Sequence, residues 1–408
     1  VSGRQFLNIG KDSETGKKLY IEADRSRAIF ICGKRGSGKS YTLGVLIEEL
    51  FENAKGEALI VVCDPMGIYH TMVLPNERQI QELYSWGLAK RGFPVRLLIP
   101  RDPVAQFGST EIVERIKARG VELKRLRINA GSLTPDEWCY LLGLNLNDLM
   151  GIALYRAVDD LQEQSRFFPF GELERTILKD RKSNDRTKQA LANRLSGVKR
   201  WDVFQEAGEE EPIQNMFTTD AINIIDLADL TPGPYSIRNL IMSVIGQQLF
   251  AMRIKERRKE EFGMHAHLPK VWLAIDEAHE FVPVSGSLSK DLLVRWVKEG
   301  RQPGLSLIAA TQQPAAVDSE VLSQCDVIIS HKITSIEDIN ALNRLSATYM
   351  SGELRTLIRN LGRRGEAILV DDETEEVNHL MVRPRLSAHG GGETGEDEIR
   401  KSLFEGWS

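Results

Sequence analysis

The sequence predicts an α/β protein: a mostly parallel sheet covered by helices, with a helical insertion and a short β-hairpin region at the N-terminus. Three observations predict it. Continuous apolar runs such as Ala58-Leu59-Ile60-Val61-Val62-Cys63-Asp64 have the composition of strands buried on both faces. These runs alternate with amphipathic helical stretches, the rhythm of βαβ units. The stretch Gly33-Lys34-Arg35-Gly36-Ser37-Gly38-Lys39-Ser40 fits the phosphate-binding P-loop, G-x-x-x-x-G-K-[ST], at every position.

Residues 1–26 hold two β-rich runs, Phe6-Leu7-Asn8-Ile9-Gly10 and Lys18-Leu19-Tyr20-Ile21-Glu22, around Ser13-Glu14-Thr15-Gly16. They read as a hairpin packed beside the core. Residues 27–130 read as the first part of that core. Ala28-Ile29-Phe30-Ile31-Cys32 is a buried strand, the helix after Ser40 runs from Tyr41 to Leu50, and Ala58–Asp64 and Phe93–Pro100 are further strands. Residues 131–210 turn helical. Thr134 is the expected N-cap, Pro135 takes the first helical position, and Glu137 completes a capping box. Residues 175–200 of this insertion carry nine Lys/Arg against two Asp, either a solvated helix face or a contact for a phosphate backbone. Residues 211–386 return to the core. A strand at Ala221–Leu227 precedes a long helix from about Ser236 to Glu261, then strands at Val271–Ile275, Leu305–Thr311 and Val327–Ser330. Residues 387–408, with Gly390-Gly391-Gly392, read as a flexible arm.

Composition narrows the function classes. With 42% hydrophobic and 27% charged residues, the 408-residue chain has the make-up of a soluble globular protein. No run approaches the roughly 18 uncharged apolar residues of a membrane span. Cys32, Cys63, Cys139 and Cys325 are scattered, which predicts no zinc site and a reducing, cytoplasmic setting. A net charge of −5 gives no global sign of nucleic-acid binding, so any DNA-contacting surface must be local, as in the wall of a ring.

The candidate chemistry is phosphoryl transfer. The loop from Gly33 to Ser40 turns backbone N–H groups and a helix N-terminus toward a polyphosphate such as ATP, with Tyr41 next in line. Lys39 reaches the β- and γ-phosphates, and Ser40 ligates Mg2+. Asp276-Glu277 closes the strand Val271–Ile275, the Walker B arrangement: Asp276 serves the metal shell and Glu277 orients the attacking water. Gln312, at the end of the next strand, is either an amide that senses the γ-phosphate or, with Thr311, an ordinary turn-capping polar pair. Arg301, on the turn Gly300-Arg301-Gln302-Pro303-Gly304, is either a surface arginine or one that enters a neighbouring subunit's site. Asp64 either supports the metal shell or caps Pro65-Met66-Gly67.

Taken in order, Gly33–Ser40, Cys63–Tyr69, Ile275-Asp276-Glu277-Ala278-His279, Gly300–Gly304 and Thr311-Gln312-Gln313-Pro314 resemble the HerA branch of the HerA–FtsK ATPases. Gly365–Leu369 and Arg383-Pro384-Arg385 resemble that family's closing strands. The resemblance implies a RecA-like core, ATP bound between subunits, and a homo-hexameric ring that pumps double-stranded DNA in partnership with a nuclease, in end processing or anti-phage defence. It implies that Arg301 acts in trans and that Arg27, with Arg25 as competitor, is a second nucleotide-sensing arginine. An alternative reading makes the ring a scaffold for a nuclease or a sirtuin-like NADase. Two departures stand out. HerA proteins usually carry an N-terminal β-barrel that docks their nuclease, whereas only residues 1–26 precede the core here; and Gly67-Ile68-Tyr69 stands where Gly-Glu-Tyr is common.

Overall fold

The computed structural model describes residues 5–165, 167–209, 211–233, 236–345 and 352–391. Among them, twelve strands form one sheet. They are β1 (Phe6–Asp12), β2 (Lys18–Glu22), β3 (Ala28–Cys32), β4 (Ala58–Asp64), β5 (Val95–Ile99), β6 (Glu122–Arg125), β7 (Ile222–Asp226), β8 (Lys270–Ile275), β9 (Leu305–Thr311), β10 (Val327–Ser330), β11 (Glu366–Asp371) and β12 (Glu376–Val382). Across the sheet the order is β2-β1-β12-β11-β10-β3-β9-β8-β4-β7-β5-β6. The eight strands from β10 to β6 run parallel, and the four from β11 outward to β2 continue antiparallel.

The apolar runs explain the parallel part. Every residue of β3 is buried; Phe30 and Cys32 join the core on one face, Ile29 and Ile31 the core on the other. A strand dry on both faces requires helices on both faces, and crossover connections supply them.

The N-terminal hairpin forms, but it is the margin of the main sheet rather than a unit beside it. β1 pairs with β12, Gly10 opposite Val382. A Cβ on Gly10 would stand 2.1 Å from the Met381 carbonyl oxygen, so glycine allows this approach. The polar strand β6 was not expected; its Glu-Leu-Lys-Arg sequence has no strand pattern.

The insertion between β6 and β7 contains helices Pro135–Leu142, Leu149–Gln164, Phe170–Lys179 and Asp185–Lys199. Thr134 and Glu137 make the capping box reciprocally. Trp138 stacks on Phe204 at 5.3 Å, and its Nε1–H donates to the Ala130 carbonyl at 3.2 Å. These side chains belong to the same apolar cluster as one face of the sheet, which seats the insertion on the core.

The chain leaves β12 across the helix that follows the P-loop, Lys39–Ala54. Glu48 of that helix, fully buried, accepts from Arg383 Nη1 (3.0 Å), Arg385 Nε (3.4 Å), Leu386 N (3.0 Å) and Ser387 N (2.9 Å). The segment expected to begin a flexible arm at residue 387 therefore starts packed: Ser387 is buried and Ala388 N donates to the Leu74 carbonyl at 2.8 Å. Residues 392–408 of that expected arm lie outside the described residues.

Candidate active site

The carboxyl ends of β3, β9, β8, β4 and β7 share one edge of the sheet, the edge at which parallel α/β folds bind ligands. The P-loop leaves β3 there. A Cβ on Gly33 would lie 2.6 Å from both His331 Cβ and Ser37 Oγ, so the loop closes only over glycine. Gly38 is the N-cap of Lys39–Ala54 and offers no side-chain cap, leaving the first-turn N–H groups for an anion. Ser37 Oγ donates to the Lys34 carbonyl at 2.7 Å and Lys39 Nζ to the same oxygen at 3.2 Å. Burial pulls the Lys39 ammonium pKa down, while Glu277 and Asp276 pull it up. Lys34, Arg35 and Gly36 are exposed at the tip, and Ser37 and Ser40 are half-buried.

Beneath the loop lies His331, which no motif in the sequence marks. It is fully buried, with Nδ1 2.8 Å from the Glu366 carbonyl oxygen and Nε2 2.8 Å from Thr42 Oγ1. A carbonyl only accepts, so Nδ1 carries the proton and Nε2 accepts from the threonine hydroxyl. Burial drives its pKa down to about 4, which keeps that neutral tautomer.

Beside the loop stand the acids. Tyr69 Oη donates to Asp276 Oδ2 at 2.9 Å, and burial raises that carboxyl's pKa, with nearby Ser40 and Tyr69 opposing. Glu277 has φ +49°, a left-handed conformation costly for a residue with a Cβ and common at functional sites. Its Oε1 accepts from Gln312 Nε2 at 2.7 Å. Its Oε2 is buried and has no hydrogen-bond partner among the described residues. His279 Nδ1 approaches that oxygen to 3.4 Å, but burial depresses the histidine's pKa, and Thr311 Oγ1 is nearer to the same nitrogen at 3.1 Å. Burial, then the Asp276 charge, push the Glu277 carboxyl up to about 7, with Lys39 opposing.

An orphaned acceptor on a carboxyl poised near neutrality suits a water held for in-line attack. Ser40 and Asp276 suit an Mg2+ that takes its remaining ligands from phosphates and water. Asp64 is the turn cap of the two readings: its oxygens accept from Met66 N (3.1 Å), Gly67 N (2.7 Å) and Tyr69 N (2.8 Å). Burial, then Asp226 across on β7, raise its carboxyl to about 7.

Next to Gly38 and Tyr41 opens a cavity of about 470 Å3 lined by Trp86, Arg364, Met381 and His389 among others. Tyr41 Oη donates to Gln79 Oε1 and accepts from Arg385 N, each at 2.6 Å.

Lys39, Ser40, Asp276, Glu277 and Gln312 thus come together. Arg27 and Arg301 do not join them. Both precede the strands that carry them, β3 and β9, and so stand at the opposite edge of the sheet. Arg27 is buried, paired with Glu373 at 2.5 Å and bonded to the Glu22 carbonyl at 3.2 Å; Arg25 shares Glu373. Arg301 is exposed and pairs with Asp326.

Comparison with known proteins agrees with this geometry. The family model described as "Helicase HerA, central domain" matches residues 7–249. A probable helicase of Methanocaldococcus jannaschii, MJECL08, is 24% identical over 95% of this chain and 71% of its own length. The DNA double-strand break repair helicase HerA of Sulfurisphaera tokodaii is 24% identical over 78% of this chain and 56% of its own length. In structure, VirB4 of Thermoanaerobacter pseudethanolicus superposes with a TM-score of 0.57 at 16% identity, over 92% of this chain and 96% of that one. The conjugative coupling protein TrwB gives 0.55 at 12% identity, over 92% and 88%. These two share the RecA-like fold. With its P-loop and acidic strand end assembled within the matched fold, the chain is a P-loop ATPase and belongs to the HerA helicase family.

Proposed function

We propose that this protein is an ATP-driven translocase or helicase that assembles as a homo-hexameric ring around double-stranded DNA. The observation that carries this reading is the split of the site: lysine, acids and glutamine converge at one sheet edge, while Arg301 stands at the other. An arginine so placed serves the γ-phosphate of a neighbouring copy, which ties hydrolysis to assembly.

ATP lies with its phosphates against the P-loop N–H groups and Lys39, and its base in the cavity beside Tyr41. Mg2+, held by Ser40 with Asp276 behind it, supplies charge neutralisation when bound. Glu277 takes the proton of the attacking water, Gln312 holds the carboxylate in register, and Arg27 lies near the interface as a second sensor. The run from 175 to 200 is the candidate DNA contact. Its Arg175, Lys179, Arg181, Lys182, Arg186, Lys199 and Arg200 are exposed. By likeness to relatives named for double-strand break repair, we assign it to DNA end processing with a nuclease in the cytoplasm, with anti-phage defence as the other setting.

Exposed apolar residues on the insertion, Tyr140, Leu149, Ile152 and Tyr155, favour one further reading, a ring that organises a nuclease or NADase effector with little translocation. The test is the ATPase rate against added linear duplex DNA, with particle mass measured on the same sample. A several-fold rise on a hexamer-sized particle supports the translocase. A flat response on a hexamer supports the scaffold, and a particle that stays monomeric with ATP and DNA overturns the ring.

A further inference from the structure

At the edge where β3 and β9 begin, a polar cleft of about 330 Å3 opens between the turn before β9 and the start of β10. Arg301 stands on that turn with its side chain 66% exposed, and its Nη2 donates to Asp326 Oδ1 at 2.5 Å. No other described residue bonds its guanidinium. The turn itself is braced: Leu305 N donates to the Gly300 carbonyl at 2.8 Å, and buried Arg253 Nε to the Pro303 carbonyl at 2.7 Å.

Asp326 has no such freedom. Its side chain is 17% exposed and its Oδ2 accepts from Ala28 N, at the head of β3, at 3.0 Å. Its own N–H donates to the Ala28 carbonyl, and its carbonyl accepts from Asp372 N, each at 2.9 Å. One carboxylate oxygen is thus committed to the sheet and the other is held out to the arginine.

We propose that Asp326 is the positioning residue of Arg301. It anchors one nitrogen of the guanidinium and leaves the remaining donors facing the open cleft, where the γ-phosphate of a neighbouring copy's nucleotide docks. This inference rests on the reading of Arg301 as acting in trans. A guanidinium has five donors in a planar fork, so it can keep a carboxylate on one side and take a phosphate on the other. An untethered arginine would have to lose its rotamer freedom at every turnover; the ion pair removes most of that freedom in advance.

The test is Asp326→Asn. Asparagine keeps an oxygen for Ala28 N and gives up the charge that holds Arg301. The expected result is a kcat lower by about tenfold with an unchanged KM for ATP and unchanged particle mass. Mixed with an excess of Lys39→Ala subunits, which retain both Arg301 and Asp326, turnover per Asp326→Asn subunit should return to the parent level. A folding defect that reached the subunit's own P-loop edge would not be repaired by a neighbour. Arg301→Ala, mixed in the same way, tests the underlying reading: if it keeps full activity or is not rescued, the trans arginine itself fails. If Arg301→Ala is rescued while Asp326→Asn keeps the parent kcat, or loses it without rescue, the assignment of Asp326 is overturned.

Discussion

Replacing His331 by asparagine should change how the protein responds to acid. The folded protein holds His331 neutral down to about pH 4, whereas in the unfolded chain it takes up a proton near 6.5. The contribution of the neutral imidazole is therefore complete above 6.5 and is lost progressively as the pH falls toward 4. At pH 5, about 1.5 units below the unfolded value and at about 1.4 kcal/mol per unit, the loss is about 2 kcal/mol. An asparagine Nδ2–H can still donate to the Glu366 carbonyl, but the Thr42 hydroxyl loses its acceptor, at a cost of roughly 1–3 kcal/mol. The variant should thus be the less stable protein at pH 7.5, and the gap should narrow by about 2 kcal/mol at pH 5. Urea unfolding followed by tryptophan fluorescence at the two pH values measures this. Groups common to both proteins cancel in the difference. Curves that stay parallel from pH 7.5 to 5 would refute the buried neutral histidine under the P-loop.

Four further outcomes are expected. Lys39→Ala should abolish nucleotide binding, measured with a fluorescent ATP analogue. Glu277→Gln should bind normally but lose about 10²–10⁴-fold in kcat, and full activity in that variant would remove Glu277 from the chemistry. Glu48→Gln leaves buried Arg383 with Glu49 as its remaining carboxylate and buried Arg385 with none among the described residues, so it should cost about 3–5 kcal/mol; a melting temperature equal to the parent's would contradict the Glu48 clasp. Substituting Arg181, Lys182 and Arg186 by alanine should weaken duplex binding and flatten its salt dependence, by about 0.9 in log–log slope for each phosphate no longer neutralised, while DNA-free ATPase stays at the parent level.

The parts of the site that lie next to one another in the chain were legible in the sequence. Gly33–Ser40 and Asp276-Glu277 announce themselves because each is a short stretch whose spacing the chemistry dictates. Gln312 was legible through its place at the end of an apolar strand. His331 was not, since a lone histidine after Val327–Ser330 carries no pattern; only the fold brings it under Gly33. The role of Tyr69 is hidden for a related reason. The motif departs at Ile68, where an acid is common, whereas the tyrosine hydroxyl beside it is what meets Asp276 at the end of the neighbouring strand. Hairpin β1–β2 was readable locally, but its partner β12 lies at the far end of the chain, and such pairing leaves no local trace. Arg27 illustrates the converse: proximity in sequence to the P-loop strand puts it at the opposite end of that strand, away from its own nucleotide site.

The order of strands in the sheet also bears on how the protein is made. β3 leaves the ribosome well before its partners: both of its neighbours, β9 and β10, come about 280 residues or more later. At roughly 5–20 residues per second, the P-loop strand spends about 15–60 s with both backbone edges open. Its five residues, apolar throughout, make it a sticky template during that interval. Synthesis of this protein should therefore depend on holding chaperones more than its folded stability suggests, and the nucleotide site should not close until β9 and β10 have been made.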